Sequence, residues 1–476
     1  MPAHNLRARF ALTVASLALA LAACAGTDPG DPGPKEGTAA SALAVTFHRD
    51  VEPILQRRCQ ACHTPGGIAP FSLLTYADAK PMHEVMVEKT QARIMPPWGA
   101  HDSDDCKMER PFVDDMRLTD DELRTIEAWS RDGAPEGDPK DAPPPAAPRA
   151  AGVTDPSFTV QPEVGFPMSG TEDRLRCFVL DPKLAATSYV SELEVVPEQK
   201  GVVHHVLVFS DPSGESRKLA DATGQYDCFG GARVQGGTLV AGWVPGAEPM
   251  RLPEGVGTPL DAGALLVMQV HYHAAGGAAS PPDRTALRVK LTSSPPRLHA
   301  YTQLLGNFRG TLGDSGLMPG PNDASKAEFL VPPNVKDHTE TMRVVMPPKL
   351  NGVPVTNLRL LASGAHMHYV GVKETITIER AAAAPGQPAK ECLLSVPRWD
   401  FDWQRSYRYA LDVDALPTVN AGDRLDVRCT YDNTMGNPKL GRALRESGVS
   451  SPQPVVLGEA TLDEMCLGTF TFVYAP

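Results

Sequence analysis

The sequence predicts a multidomain chain in which a small all-α domain is followed by two all-β sandwiches of jelly-roll-like form. Three observations carry this. Over residues 45–138 apolar residues recur at helical spacing behind polar caps. Residues 139–155 (PKDAPPPAAPRAAGVTD) form a Pro/Ala linker without periodicity. From about residue 156 the pattern changes to short alternating runs punctuated by Gly, Pro, Asn and Asp.

In the first segment, Asp50 is placed to cap a helix running through Ile54 and Leu55 to Cys59. Thr75 with Asp78 forms a capping-box pattern opening a helix to Arg93. Thr119 with Glu122 forms another, followed by Leu123, Ile126 and Trp129 and stopped at Gly133. In the last segment the expected strands include Val202–Phe209, Leu265–His273, Leu358–Ala362, Leu425–Tyr431 and Thr469–Tyr474. About 320 residues exceed one sandwich, so two are expected, 156–294 and 297–476, divided at Ser293-Ser294-Pro295-Pro296.

The N-terminus reads as an export signal. Residues 1–24 carry Arg7 and Arg9, then an apolar run from Phe10 to Ala22 too short to span a bilayer as a helix. Leu21-Ala22-Ala23-Cys24 resembles the lipobox of bacterial lipoproteins, which implies lipidation at Cys24; Ala25 behind it implies retention at the periplasmic face of the outer membrane. Residues 25–44 are a Gly/Pro-rich flexible tether. The expected membrane contact is through the lipid anchor only. With 45 basic against 57 acidic residues and a net charge of -12, the chain lacks the basic footprint of a nucleic-acid binder.

Cys59-Gln60-Ala61-Cys62-His63 is a C-x-x-C-H sequence in an exported chain. That spacing lets Cys59 and Cys62 form thioethers to haem vinyls while His63 ligates iron, so it reads as haem c attachment, with a redox C-x-x-C or half a zinc site as the alternatives. With Phe47, Asp50-Val51, Gly66-Gly67 and Met95-Pro96-Pro97-Trp98, the segment resembles a class I-like cytochrome c domain. The resemblance implies Met95 as second axial ligand; Met82 and Met86 are the alternatives, at helical core spacing.

Six of thirteen histidines stand in three tight groups inside Val/Leu-rich runs: His204-His205, His271 with His273, and His366 with His368. His366 and His368 share a strand face and can close on one metal ion, whereas Met367 points away. Imidazole suits zinc, copper, iron and nickel alike, and a soft sulfur ligand would favour copper. Adjacent histidines on a regular strand face opposite ways, so His204 and His205 can share a metal only at a strand end or bulge. His273 shares a face with His271, and geometry alone leaves it a possible ligand.

Together, His204-His205, Gln269-Val270-His271-Tyr272, His366-Met367-His368, Asp402-Trp403-Gln404, Cys429-Thr430-Tyr431 and Asp463-Glu464-Met465-Cys466 resemble, in type and order, the type II ascorbate-dependent copper monooxygenases. That family includes peptidylglycine hydroxylase and dopamine β-hydroxylase, and the resemblance covers roughly residues 160–474. It implies two coppers per chain. His204, His205 and His271 would hold the electron-storing one; His366, His368 and Met465, as the catalytic set, would hold the oxygen-binding one. It further implies a Cys429–Cys466 disulfide and hydroxylation of a C–H bond with dioxygen, using electrons from an external periplasmic or ascorbate-like donor. The positions that anchor substrate in the peptide hydroxylase are here Gly364, Leu467 and Thr469, which implies a different, small or lipophilic substrate. The alternative reading is a non-catalytic copper-binding or electron-transfer lipoprotein. Of nine cysteines, Cys106, Cys177, Cys228 and Cys392 remain to be paired, and the sequence does not fix their partners.

Overall fold

The computed structural model describes residues 44–476 except 66–68, 146–151, 171–172, 229–230, 245–246, 273–278, 293, 308–315, 351, 385 and 459. Cys24 and the signal segment, Gly66-Gly67 and His273 lie outside the described residues. Among the described residues no helix is long and apolar enough to cross a membrane.

Helices come first along the chain. Thr75 and Asp78, and Thr119 and Glu122, form reciprocal capping boxes that open Tyr76–Ala79 and Asp120–Arg131. Pro81 breaks the expected run to Arg93: a 3-10 turn at Lys80–Met82 precedes His83–Gln91. Asp50 acts differently from expectation. Its carboxylate accepts from Thr46 N–H at 2.7 Å, capping a π-type turn at Phe47–Val51 that runs directly into the helix Glu52–Arg58. Phe47, Leu55, Ile126 and Trp129 form the buried centre of this region.

The remainder is mostly sheet, compatible with sandwich domains. One half packs the antiparallel strands Arg174–Leu180, Leu265–Tyr272, Val203–Asp211 and Leu239–Trp243 against Ala286–Leu291, Ser188–Val196 and Val256–Leu260. Val206, Val208, Met268, Val270, Leu287 and Val289 fill the space between. The other half sets Leu298–Gly306, Leu467–Tyr474 and Leu358–His366 against His338–Val345, Arg424–Tyr431, Gly371–Glu379 and Lys390–Val396. Ile376, Ile378, Val427, Phe470 and Phe472 lie at its centre.

Two features depart from the sequence reading. The division near residue 295 does not separate the sheets: Leu298–Gly306 pairs parallel with Val256–Leu260 and antiparallel, at Thr302, with Leu239, so one sheet crosses it. Secondly, the expected helical domain 45–138 is interrupted. Trp98, Ala100, Phe112 and Met116 enter the C-terminal core. The Cys106–Cys392 disulfide and the Phe112–Tyr409 bridge hold this arm there. Arg110 pairs at 2.5 Å with Glu391, which also takes the buried Arg380 at 2.8 Å. The arm carries no periodic pattern because its partners are supplied by distant strands rather than by its own neighbours. The other disulfides are Cys177–Cys228 and Cys429–Cys466.

Candidate metal centre

Strand Val203–Asp211 pairs with Leu265–Tyr272, and the register slips between Val203 and His205, leaving His204 as the extra residue of a bulge. A bulge turns the chain locally, which lets neighbouring side chains converge. His205 lies directly across from His271. The Nδ1 atoms of His204 and His271 each stand 3.3 Å from Nδ1 of His205, and one ligand atom from each ring fits within 4.8 Å of the others. Ligand nitrogens about 2.0–2.1 Å from a tetrahedral ion lie about 3.3 Å apart, so this spacing fits a metal. The outer nitrogens face carboxylates: His271 Nε2 is 3.3 Å from Asp173 and His204 Nε2 is 3.8 Å from Asp402. Such partners fix the ring and turn Nδ1 toward the ion.

His366 ends strand Leu358–His366, and His368 follows it, with Met367 fully buried on the opposite side. The two rings are 5.5 Å apart and nearly perpendicular. Here Nδ1 is committed: His366 donates to the Gln404 side-chain oxygen at 2.7 Å and His368 to the Asp463 carbonyl at 3.0 Å. Each ring therefore keeps Nε2 for a ligand. Met465, 5% exposed, is pinned by Cys466 in its disulfide and by the Tyr431 hydroxyl, which donates to the Met465 carbonyl at 2.8 Å. Behind them the buried Glu464 accepts the backbone N–H of His368, of Met465 (3.0 Å) and of Gly371 (3.2 Å).

Burial and neighbouring imidazoles keep His205, His366 and His368 neutral. Burial, then His271 and His204, pushes His205 well below the usual histidine range; burial lowers His366, and burial followed by His366 takes His368 to about 3. Neutral rings retain the lone pair that a metal needs. Burial raises Glu464 to about 8. Burial acts to raise Asp402 as well, yet the nearby His204 and hydrogen bonds from Arg442 and Lys439 together hold it well below the ordinary carboxylate range.

His205, His271, His366, His368 and Met465 all line one cavity of about 1350 Å³. Leu207 and Phe209 continue the His205 strand face along its wall, with Leu239 and Trp243 beside them. At Gly364 an added Cβ would fall 2.4 Å from the Thr469 hydroxyl and 2.9 Å from the Arg405 carbonyl, so no side chain can extend from that position.

The C-x-x-C-H stretch borders the same space: Arg57, Arg58 and Ala61 line the cavity, as does Trp98. Cys59 and Cys62 are the free cysteines among the described residues, and burial, then Cys62, pushes the Cys59 thiol up to about 12. His63 donates through Nδ1 to the Phe71 carbonyl at 3.1 Å, leaving Nε2 for a ligand. Met95 is half-buried three residues before Trp98. Sequence reasoning did not single out Asp173 or Phe401. Asp173 carries no local motif, and Phe401 lies inside an aromatic and acidic stretch that reads equally well as packing.

No curated protein matches the chain. Among solved structures, the major capsid protein P2 of bacteriophage PM2 is similar at 7% identity, covering 66% of this chain and 96% of that one with a TM-score of 0.23. The top component of Cowpea mosaic virus is similar at 10% identity, covering 67% and 88% with a TM-score of 0.24. Scores this low carry no argument. Residues 157–278, the part that holds His204, His205 and His271, match the family model for the N-terminal domain of copper type II ascorbate-dependent monooxygenase, a similarity that indicates copper and oxidoreductase chemistry for this part of the chain.

Proposed function

We propose that the chain is a copper-dependent monooxygenase that hydroxylates a C–H bond of a small or lipophilic molecule with dioxygen. The observation that carries this is the convergence of two unlike ligand sets on one cavity. His204, His205 and His271 would hold the electron-storing copper through Nδ1. His366 and His368 through Nε2, with the Met465 thioether, would hold the oxygen-binding copper, an N,N,S set that suits the cuprous ion. Copper supplies oxygen activation and one-electron storage when bound. The protein's part is geometric. Asp173 and Asp402 orient the first set, Gln404 and the Asp463 carbonyl fix the second, and Leu207, Phe209 and Leu239 keep water from the substrate. Gly364 leaves no arm to grip a carboxylate, which supports a substrate other than a glycine-ended peptide.

Cys59, Cys62, His63 and Met95 would hold haem c, a one-electron relay from a periplasmic donor. The cavity-lining Arg57, Arg58 and Ala61 support entry of electrons from this side. Export and lipidation at Cys24 rest on the sequence reading alone. The test is metal analysis with oxygen uptake on the full chain. Two coppers and one haem per chain with reductant-dependent oxygen consumption are expected; zinc, or copper without uptake, overturns the enzyme reading. Anaerobic stopped-flow separates the relay: reoxidation of pre-reduced haem should track copper reduction, and no such coupling removes it.

A further inference from the structure

One short stretch, Trp399–Gln404, touches four histidines drawn from both sets. Trp399 donates its indole N–H to the His368 carbonyl at 3.2 Å. Phe401 stacks on His204 with ring centres 5.0 Å apart and planes 16° from parallel, and meets His271 and His368 edge-on at 6.5 and 6.2 Å. Asp402 lies 3.8 Å from His204 Nε2, and Gln404 accepts from His366 Nδ1 at 2.7 Å. Hydrogen bonds tie the stretch together so that it moves as one unit. Asp400 accepts from Asp402 N–H at 3.0 Å and Gln404 donates to the Phe401 carbonyl at 3.2 Å. Lys439 and Arg442 clamp Asp402 at 2.6 and 2.9 Å to the helix Pro438–Glu446. A second strut runs parallel to it: Thr461 donates to Asp173 at 3.2 Å, and Asp173 faces His271, while Asp463 two residues on holds His368.

We propose that Phe401 and Asp402 are positioning residues that couple the two metal sets, so that a metal at either one raises the affinity of the other. A near-parallel stack on His204 holds only while that imidazole keeps one orientation, and a metal on its Nδ1 imposes that orientation. Fixing His204 fixes Phe401 and Asp402, and through the same turn the Gln404 oxygen that orients His366. The ordering cost is then met at the first metal and not repeated at the second, which is positive cooperativity without a large movement. Linkage makes the effect reciprocal.

The proposal rests on the reading that both sets bind copper, and its test separates the two. The full chain, stripped of copper, is titrated anaerobically with cuprous ion alone against a coloured chelator. Deleting the second set (His366→Ala with His368→Ala) is expected to weaken cuprous binding at His204, His205 and His271 by about 5-fold or more, the lower end of usual site-to-site coupling. In a Phe401→Leu, Asp402→Asn background the same deletion is expected to have almost no effect, whereas Phe401→Tyr alone, which keeps a stacking ring and Asp402, should retain the linkage. Equal affinity at the first set with and without the second, in a chain that binds two cuprous ions, overturns the coupling and leaves the copper assignment standing. Failure of the native chain to bind cuprous ion at the first set sinks that assignment and the coupling with it.

Discussion

The two histidine sets solve one problem in opposite ways. On the N-terminal sheet a bulge brings three Nδ1 atoms together and leaves Nε2 of His204 and His271 to carboxylates. On the C-terminal sheet neutral oxygens of Gln404 and Asp463 occupy Nδ1, and Nε2 is left for a ligand. Carboxylate partners make His204 and His271 stronger electron donors to a bound ion; amide partners leave His366 and His368 weaker ones. An all-nitrogen site with charged supports suits an ion that stores charge, and a site completed by Met465 suits an ion that must stay soft and open to a small ligand. The bracing differs too. The second set is backed by Glu464 and the Cys429–Cys466 bridge, whereas Cys177–Cys228 lies on the strand beside His271.

Met465 gives the sharpest contrast. Met465→Ala should abolish oxygen-dependent turnover, a loss beyond the about 10–100-fold typical of an outer-shell partner, while metal analysis still finds both coppers. Met367→Leu, a near volume-conserving change at a fully buried site, should cost less than about 1.5 kcal/mol and keep activity. Wild-type turnover by Met465→Ala would remove the thioether from the second set.

Next in size is His271→Ala, which should lower copper toward one per chain, whereas His273→Ala should retain two. The reverse result in metal analysis would shift the first set onto His273. Asp173→Asn, by weakening the support of His271, should cost about 10–100-fold in copper affinity at the first set. Chelator competition that shows no change there would make the charged support incidental.

The brace on the C-terminal half can be removed by itself. Cys106 and Cys392 are 286 residues apart in sequence, and replacing both by Ser should cost about 2–4 kcal/mol in denaturant unfolding. An unchanged midpoint would mean that the arm stays docked without its covalent tie.

The smallest effect concerns His101 on the same arm, whose backbone N–H donates to the Ser395 carbonyl at 3.0 Å. Burial, then Arg398, Arg117 and Arg93, lowers its imidazole to about 4, below the usual value near 6.5. A depressed histidine contributes stability that is present above about pH 6.5 and is lost as pH falls through about 4. Thermal midpoints should therefore fall less steeply over that window in His101→Asn than in wild type; parallel curves would exclude His101 as the cause.

What the sequence determined by itself was local. The capping boxes at Thr75 and Thr119, the C-x-x-C-H stretch, the H-x-H pair and the alternation of the strands are patterns within a few residues, where helix and strand periodicity decides which side chains share a face. The need for a bulge at His204-His205 is equally local. Only the tertiary structure decided which groups meet: His205 with His271 across 66 residues, His368 with Glu464 across 96, and Cys106 with Cys392 across 286. Strand order sets those meetings, and strand order follows from how whole sheets bury their apolar faces, which no short window records. For the same reason the arm at Trp98–Met116 and the double reach of Phe401 had no signature of their own: each is defined by partners from several strands.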